Sequence, residues 1–413
     1  MNSICRSCKG FNLIQILDLG FAPPSNAFLE HTDLYMPETY YPLRLLYCED
    51  CKLAQTEDFH KSEEIFTNHY PYLSSTSSSW CDHAKALVQA LHREFNLGPK
   101  SLVVEIASND GYLLQYLVAL GIPCYGIEPT KIAADLSIAK GHEVFNTFLN
   151  LEISKSLVDK KGYADIVIAN NVFAHVPDLL EFTKAAKNLL SPNGVLVVEV
   201  QYFPELIKNL AFDTIYHEHF SYFSLASINN LFSNCGLTLF RVERIPTHGG
   251  SLRLFARQNS GKDLVPSNVQ RLLYQESLKD NFDELMSFQN KVLKKRNEVR
   301  NFISRLKDSK KQIIGLGAAA KGNTLLNYCG ITSDDILLIM DSAASKHGKF
   351  APGSHIPIKP FDQNFLGGNV EFIVLAWNLL NEFSDLLSNF SLPKSTHIDV
   401  LIPSIMRRKI FYI

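Results

Sequence analysis

The chain has 413 residues, too many for one ordinary hydrophobic core, so two or three domains are expected. Apolar residues make up 46% and charged residues 20%, which is the composition of a globular protein rather than a disordered one. The formal net charge of -2 gives no electrostatic reason to expect nucleic acid or an anionic membrane as partner. The sequence contains no apolar run of about 18 residues and no signal-peptide pattern at its start, so a cytoplasmic location is the default expectation.

Two C-x-x-C pairs stand near the start of the chain, Cys5 with Cys8 and Cys48 with Cys51. Two such turns can place four thiolates around a tetrahedral zinc ion, with Zn–S distances of about 2.3 Å. Because the protein would fill all four positions, the predicted Zn2+ is structural, and the module should depend on it to fold. The alternative, two redox dithiols, is disfavoured because neither pair opens a βαβ unit.

Buried strands alternating with helices follow this module. Apolar runs at 102–106, 124–128, 164–169 and 195–200 predict a parallel sheet covered on both faces, preceded by a helix at 75–95. After a helical stretch, the same alternation restarts at 311. The predicted fold class is α/β, with a small zinc-binding module, a central Rossmann-like domain, a helical connector and a smaller C-terminal α/β domain. The boundaries are drawn at 1–65, 66–260, 261–310 and 311–413.

The turn after the first buried strand is predicted to bind a cofactor. It lies at the carboxyl end of a strand, where α/β sheets bind nucleotides, and an acidic residue after the second strand suits ribose hydroxyls. The turn lacks G-x-G-x-x-G, so a nucleoside without phosphates is expected, and S-adenosylmethionine fits better than a nicotinamide cofactor. A strand ending in an acidic residue with no ligand is the plain alternative. The candidate cofactor-binding residues are Glu105, Ala107, Ser108, Asn109, Gly111, Glu128, Asn170 and Asn171.

A stretch of two histidines, one glutamate and two tyrosines lies at 216–223. Three interpretations remain open from the residues alone. His217 and His219 could bind a metal, the stretch could form a hydrogen-bonded polar core, or it could supply a general base and substrate contacts. Histidine titrates near pH 7, with an ordinary pKa of about 6.5, which suits proton abstraction.

A second glycine-rich turn, at 315–322, follows a strand and opens a helix. The amides at the start of that helix could bind a phosphate, to which Lys321 would add positive charge. Asp341, after the next strand, stands where a ribose ligand is expected. The first turn therefore suits a nucleoside and the second a nucleoside diphosphate, as a transfer to a nucleotide-activated substrate would require.

Three segments carry a resemblance to a known family: 216–222 (YHEHFSY), 248–253 (HGGSLR) and 317–324 (GAAAKGNT). With the cysteine pairs, they resemble the sugar C-methyltransferases of deoxysugar biosynthesis, in particular the type that acts at C-3′ of dTDP-linked 4-keto-deoxysugars in D-tetronitrose biosynthesis. The resemblance runs the full length of the chain. It implies a zinc module, an S-adenosylmethionine domain and a C-terminal domain that binds the sugar nucleotide, in a protein that acts as a monomer.

The resemblance also implies roles for individual residues. His219 matches the active-site base and Tyr216 the tyrosine that orients the sugar. The other matching active-site residues are Glu218, His175 and Tyr72. The candidate substrate-binding residues are Tyr70, Tyr222, His248, Arg253, Gly317, Lys321, Asn323, Asp341, Trp377 and Asn378. Because zinc in the cysteine module is the family's metal, the metal interpretation of the histidine stretch is disfavoured.

The expected activity is addition of a methyl group to C3 of a nucleotide-linked 4-keto-deoxysugar. The ketone acidifies the neighbouring proton, His219 removes it, and the enolate carbon attacks the sulfonium methyl, with Tyr216 or His175 as donor to the enolate oxygen. One residue departs from the family, which usually has glycine at Ala107; a methyl group there is tolerable if the backbone angle is ordinary. The alternatives are a degenerate nucleotide-sugar binding protein, which Ala107 favours, and an oxidoreductase using the C-terminal turn for NAD.

Overall fold

The computed structural model describes residues 4–59, 73–259, 265–278, 282–366, 369–393 and 396–409. The chain separates into two compact units, and each unit is built from several chain segments. Unit 1 consists of Met1–Ile14, Tyr47–Phe203 and Phe220–Asp280, and unit 2 consists of Gln15–Leu46, Pro204–His219 and Asn281–Ile413.

The strands, in chain order, are β1 (Leu13–Ala22), β2 (Tyr41–Cys48), β3 (Ala54–Thr56), β4 (Val103–Ile106), β5 (Cys124–Ile127), β6 (Val144–Phe145), β7 (Ala164–Asn170), β8 (Leu190–Gln201), β9 (Ser221–Tyr222), β10 (Leu237–Ile245), β11 (Ser251–Gln258), β12 (Gln312–Leu316), β13 (Leu338–Met340), β14 (Ile358–Lys359), β15 (Val370–Val374), β16 (His397–Val400) and β17 (Met406–Lys409). The helices are α1 (Ser78–Glu94), α2 (Leu114–Ala119), α3 (Lys131–Ala139), α4 (Leu151–Lys161), α5 (Leu179–Asn188), α6 (Phe203–Lys208), α7 (Leu225–Asn234), α8 (Ser267–Ser277), α9 (Phe282–Asp308), α10 (Ala320–Cys329) and α11 (Leu380–Ser388).

A seven-stranded sheet forms the centre of unit 1, in the order β10-β11-β8-β7-β4-β5-β6. The strands from β8 to β6 are parallel, whereas β11 runs antiparallel to β8 and β10 antiparallel to β11. Chain order reverses between β4 and β7, and such a switch point is where open α/β sheets bind ligands, at the carboxyl ends of the strands.

Alternate residues of these strands supply two separate cores, one on each face of the sheet. Val103 on β4 and Ile166 on β7 pack on one face, whereas Val104 and Val167 pack on the other. Burying each such side chain stabilises the fold by about 1.5–3 kcal/mol. A strand that is buried on both faces needs apolar side chains at successive positions. The resulting continuous apolar runs are why these strands could be predicted from the sequence.

Helix α1 shows how sequence sets a boundary in unit 1. Ser77 caps it by accepting a hydrogen bond from the Trp80 amide, and the buried face consists of residues three or four apart, Ala84, Leu87, Val88 and Leu91. Its observed span, Ser78–Glu94, confirms the helix predicted at 75–95.

A second sheet, in unit 2, has the order β14-β13-β12-β15-β16-β17. Its strands are parallel except β17, which runs antiparallel to β16. Chain order reverses between β12 and β15, so the glycine-rich turn after β12 also lies at a switch point. The predicted α/β fold class, with a central Rossmann-like domain and a further C-terminal α/β domain, is confirmed. No helix in the described ranges is both long and apolar enough to cross a membrane.

Candidate functional site

The turn after β4 lies at the switch point of the unit 1 sheet, and its backbone is tied to the next strand. The Ala107 amide donates to the Ile127 carbonyl at 2.8 Å, and the Gly111 amide donates to the Ser108 carbonyl at 3.1 Å. Gly111 has φ of +79°, and a Cβ there would stand 2.2 Å from Nδ1 of His142. Glycine is therefore required at this position for two independent reasons, backbone angle and space.

Ala107 occupies the left-handed region, with φ of 56°. The backbone angle is therefore not the ordinary one under which a methyl group would be tolerated without strain. A left-handed backbone costs an L-residue roughly 1–2 kcal/mol. The turn folds in spite of this strain, which glycine would not have.

Glu128 closes the cofactor turn from β5. Its Oε2 accepts from the Asn109 amide at 2.8 Å, and its Oε1 accepts from the Thr130 amide at 2.8 Å and from the Thr130 hydroxyl. Burial raises the pKa of Glu128, whereas these hydrogen bonds lower it, and the net shift is upward. Burial also raises the pKa of Glu105 well above its usual range. The Glu128 carboxylate thus stabilises the cofactor turn through its hydrogen bonds to Asn109 and Thr130.

Five of the buried side-chain polar atoms that have no hydrogen-bond partner in the described part of the chain belong to residues at this edge of the sheet. They are Oε2 of Glu105, Oγ of Ser108, Oδ1 and Nδ2 of Asn170 and Nδ2 of Asn171. Leaving such an atom unsatisfied costs about 1–3 kcal/mol, so a set of them at a switch point indicates a polar ligand. The neutral amide and hydroxyl groups among them fit a nucleoside such as the adenosine of S-adenosylmethionine.

The short segment that contains Ser74 and Ser75 binds the cofactor turn. The Ser74 amide donates to Oδ1 of Asn109 at 2.8 Å, and the Ser75 hydroxyl donates to the Asp110 carboxylate. Lys140 also reaches Asp110, at 3.3 Å. Tyr72, a predicted active-site residue, and Tyr70, a predicted substrate-binding residue, precede this segment and lie outside the described residues, so their roles stay predictions.

Unit 1 also contains a buried cluster of charged side chains that was not predicted from the sequence. Glu199, fully buried on β8, accepts from Nε2 of His83 at 2.8 Å and from Nε of Arg253 at 2.7 Å. Burial raises the pKa of Glu199, but the His83 hydrogen bond and the Arg253 cation outweigh it, so the net shift is downward. The Trp80 ring stacks on His83 with centroids 4.9 Å apart. Arg253, predicted to bind substrate, thus directs its guanidinium to a protein carboxylate.

The other candidates in unit 1 occupy varied environments. His175 ends a short 3-10 helix, Phe173–His175, which begins three residues after the end of β7, and His175 is half-buried. Tyr222 is buried on β9, opposite Ala54 on β3. His248 has φ of 54° in the tight turn between β10 and β11, with its ring centroid 5.4 Å from that of Trp80.

In unit 2, Tyr216 and His219 form a hydrogen-bonded pair. The Tyr216 hydroxyl lies 2.6 Å from Nε2 of His219, and Nδ1 of His219 lies 3.1 Å from the Thr214 carbonyl. A carbonyl can only accept, so Nδ1 carries the proton in the neutral ring and Nε2 presents its lone pair to the hydroxyl. Both side chains are half-buried. The imidazole is therefore oriented with an accepting nitrogen, as a general base requires.

The two residues between this pair are buried and engaged elsewhere. His217 approaches the Pro42 carbonyl with Nε2 at 3.2 Å. Glu218 accepts a hydrogen bond from the side-chain amide of Asn26 at 2.7 Å. Neither histidine belongs to a group arranged to hold a metal; across the described ranges that arrangement is found in the four cysteines.

The second glycine-rich turn lies at the end of β12 in unit 2. Gly317 has φ of +85°, and a Cβ there would stand 2.8 Å from the Phe383 ring. Asp341 accepts from the Ala318 amide at 2.7 Å and from the Ala343 amide at 2.8 Å, so this predicted ribose ligand stabilises its own turn here. Asn323 is buried at the start of α10.

Lys321 stands beside the residues expected with it. Its Nζ donates to Oδ1 of Asn378 at 2.8 Å and lies 4.9 Å from the centre of the Trp377 ring. Trp377 donates through Nε1 to Asp213 at 2.8 Å. Burial raises the pKa of Asp213 to about 6, although the nearby Lys321 cation lowers it, and burial lowers the pKa of Lys321. The structure thus brings together Lys321, Trp377 and Asn378.

The four cysteines converge in unit 1. Sγ of Cys5 lies 3.4 Å from that of Cys51, and Sγ of Cys8 lies 3.6 Å from that of Cys48. A tetrahedral site with Zn–S of about 2.3 Å separates its sulfurs by about 3.8 Å, so these spacings fit zinc.

The two C-x-x-C turns have matching backbones. In each, the residue after the second cysteine has a left-handed backbone, with φ of 62° at Lys9 and 67° at Lys52. The Lys9 amide donates to the Cys5 carbonyl and the Lys52 amide to the Cys48 carbonyl, both at 2.9 Å. Matching turns with filled ligand positions indicate a structural site without room for a reacting water.

The sheet of unit 1, a cofactor turn without a pyrophosphate-binding motif, and a metal site whose four positions are filled by cysteines define an S-adenosylmethionine-dependent methyltransferase with a structural zinc module. Three family models match the chain: a zinc binding domain at residues 5–66, a methyltransferase domain at 80–242 and a C-methyltransferase C-terminal domain at 246–399. C-methyltransferase NovU of Streptomyces niveus is 32% identical over 388 residues, covering 92% of this chain and 91% of NovU. The chain belongs to the C-methyltransferase family.

Other similarities are confined to part of the chain. A ubiquinone biosynthesis O-methyltransferase of Rhodopseudomonas palustris is 29% identical and covers 28% of this chain and 49% of its own. The magnesium protoporphyrin IX methyltransferase of Synechocystis PCC 6803, solved with bound SAM, is 16% identical, covers 43% of this chain and 79% of its own, and has a TM-score of 0.34. The family assignment does not depend on either.

Proposed function

We propose that this C-methyltransferase adds a methyl group to C3 of a nucleotide-linked 4-keto-deoxysugar, with dTDP as the nucleotide. The observation that carries the proposal is the Tyr216–His219–Thr214 chain of hydrogen bonds, 2.6 Å and 3.1 Å long. It presents an accepting imidazole nitrogen on a half-buried side chain. Methylation of carbon needs a base of this kind, because a C–H proton must be removed before a C–C bond can form.

The proposed proton transfer begins at Nε2 of His219. A keto group at C4 makes the C3 proton acidic, and Nε2 accepts that proton while the C–H electrons enter the enolate. The substrate must displace the Tyr216 hydroxyl from Nε2, and the displaced hydroxyl can then donate to the enolate oxygen. The Thr214 carbonyl keeps Nδ1 protonated throughout. Because His219 is half-buried, the proton can later leave to solvent.

The cofactor residues are proposed to act by binding and orientation. Ser108, Asn170 and Asn171 would bind the adenosine through polar atoms that lack partners here, and Glu128 would exchange a turn contact for the ribose hydroxyls. S-adenosylmethionine, when bound, supplies an electrophilic methyl group on a sulfonium. His175, Glu218 and Tyr72 complete the proposed active-site set on the strength of the family resemblance.

The nucleotide end of the substrate is assigned to unit 2. Lys321 would exchange its contact with Asn378 for the diphosphate, and Trp377 and Asn323 stand beside the same turn. The flanking candidates are Tyr70, Tyr222, His248, Arg253, Gly317 and Asp341. We further propose a monomer in the cytoplasm, where the free cysteines would stay reduced.

Replacing the proposed base tests the mechanism. His219→Asn should lower methyl transfer by at least about 100-fold, because general base catalysis contributes about 10²–10⁴-fold. Mass spectrometry would detect the gain of one methyl on a panel of dTDP-, GDP- and CDP-linked 4-keto-deoxysugars. His355→Asn is a matched control, since His355 has a left-handed φ of 54° that asparagine tolerates. Near-normal turnover in His219→Asn would remove His219 from the role.

A second candidate function is a nucleotide-sugar binding protein with a degenerate methyltransferase fold. The left-handed backbone at Ala107 favours it, because strain in the turn weakens a site that the cofactor must approach closely. Calorimetric titration with S-adenosylmethionine separates the two. Binding together with turnover supports the enzyme, whereas sugar-nucleotide binding without cofactor binding supports the degenerate protein.

A further inference from the structure

A line of polar residues in unit 2 connects Glu218 to helix α10 through the loop after β1. The loop residues are Ser25, which is buried, and Asn26, which is half-buried. Neither was singled out by the sequence interpretation, because a Ser-Asn pair after two prolines reads as an ordinary turn. Their contacts in the folded protein, rather than a local sequence pattern, connect this loop to Glu218 and to α10.

The side-chain amide of Asn26 donates to Oε2 of Glu218 at 2.7 Å. Glu218 is only 2% exposed, so its carboxylate depends on protein donors rather than on water. Glu218 directly precedes His219 in the chain, so a hydrogen bond that fixes the Glu218 side chain also constrains the backbone that carries the proposed base.

The loop that carries Asn26 is held at two points on α10. Nδ2 of Asn323 donates to the Ser25 carbonyl at 2.6 Å, and the Ser25 hydroxyl lies 3.3 Å from that of Thr324. The Thr324 hydroxyl in turn approaches the Ile215 carbonyl at 3.3 Å. The contacts thus run from α10 through the loop to Glu218, and from α10 directly to the residue before Tyr216.

We propose that Asn26 is a positioning residue for methyl transfer, which fixes the Glu218 carboxylate and through it the Tyr216–His219 pair. This inference rests on the proposed function of that pair. Asn323, a substrate-binding candidate, and Thr324 would then share a structural role, since both hold the loop from which Asn26 reaches Glu218. The position of α10 is thereby linked to the alignment of the base.

Asn26→Asp is the most informative variant, because it keeps the shape of the side chain and replaces the donor by a carboxylate. At neutral pH, kcat should fall about tenfold to hundredfold with little change in KM, since the buried Glu218 loses the hydrogen bond that Asn26 donates. Two facing carboxylates cannot both ionise easily, so one takes up a proton as the pH falls and becomes a donor again. The ratio of variant to wild-type kcat should therefore rise toward acid pH. A merely structural defect would leave the ratio constant.

Two comparisons complete the test. Asn26→Ala should lose activity to a similar extent with no acid recovery, and Asn389→Asp, the same change at an exposed helix end, should leave kcat unchanged at every pH. In a double-mutant cycle, Asn26→Ala should cost little more once Glu218 is already Gln.

The possible outcomes distinguish a failure of the proposed role of Asn26 from a failure of the proposed role of His219 as base. Full activity of Asn26→Asp at neutral pH, or additive losses in the cycle, overturns the inference while His219→Asn still tests the base. Thermal unfolding of each variant by circular dichroism identifies a folding defect, and an Asn26→Ala that fails to fold leaves the pH ratio of Asn26→Asp to decide.

Discussion

Ala107 combines a left-handed φ of 56° with the turn that approaches the cofactor. The sequence could show that alanine replaces the family's usual glycine, but the angle follows from how the turn meets the Ile127 carbonyl. Replacing alanine by glycine at this position has two opposing effects on the free energy of unfolding. Glycine removes roughly 1–2 kcal/mol of strain, whereas it adds about 0.5–1 kcal/mol of unfolded-chain entropy.

Ala107→Gly should therefore stabilise the protein slightly, by up to about 1 kcal/mol, and should tighten S-adenosylmethionine binding because the relaxed turn needs no distortion to receive the ligand. Thermal unfolding and calorimetric titration measure the two effects. Gly111→Ala is the matched opposite change, since its Cβ would meet His142, and it should destabilise the turn and weaken the cofactor. Weaker cofactor binding by Ala107→Gly would contradict the strain argument.

At the scale of elements, the two C-x-x-C turns were predictable because their chemistry lies in local spacing. The strands β4, β5, β7 and β8 were also predictable, because their apolar runs indicate a sheet buried on both faces. Local patterns tell which side of an element is buried, but not which distant polar group it meets. His83 and Glu199 are 116 residues apart, and Asn26 and Glu218 are 192 apart, so neither pair could be inferred from the sequence.

The cysteine turns give a test at the scale of an element. Cys48→Ser should abolish stoichiometric zinc, because a neutral hydroxyl replaces one of four thiolate ligands, and should lower stability and solubility since the module loses the ion that links its two turns. Metal analysis and thermal unfolding measure these effects. Cys235→Ser, at a cysteine outside the cluster, should keep its zinc. Full activity of Cys48→Ser without metal would contradict a structural role.

At the scale of the whole molecule, the two larger sheets of the described residues are mainly parallel, and each has its own switch point and its own core. The two turns differ in chemistry. The turn of unit 1 gathers polar atoms without partners, and its neighbouring Lys140 is paired with Asp110 of the turn itself. The turn of unit 2 instead places Lys321 beside Asn378 and Trp377. If the first binds a nucleoside and the second a nucleoside diphosphate, each ligand should stabilise the unit that binds it.

Hydrogen exchange followed by mass spectrometry tests this division. S-adenosylmethionine at 100 times its Kd should stabilise its site by about 2.7 kcal/mol and slow exchange at 107–111 and 170–171, with 317–322 unchanged. The nucleotide dTDP should do the reverse, because the lysine and the helix N-terminus bind phosphate rather than a sulfonium. Inorganic phosphate serves as a control for charge alone. Protection of 107–111 by dTDP, or no protection of 317–322, would show that unit 2 does not hold the nucleotide.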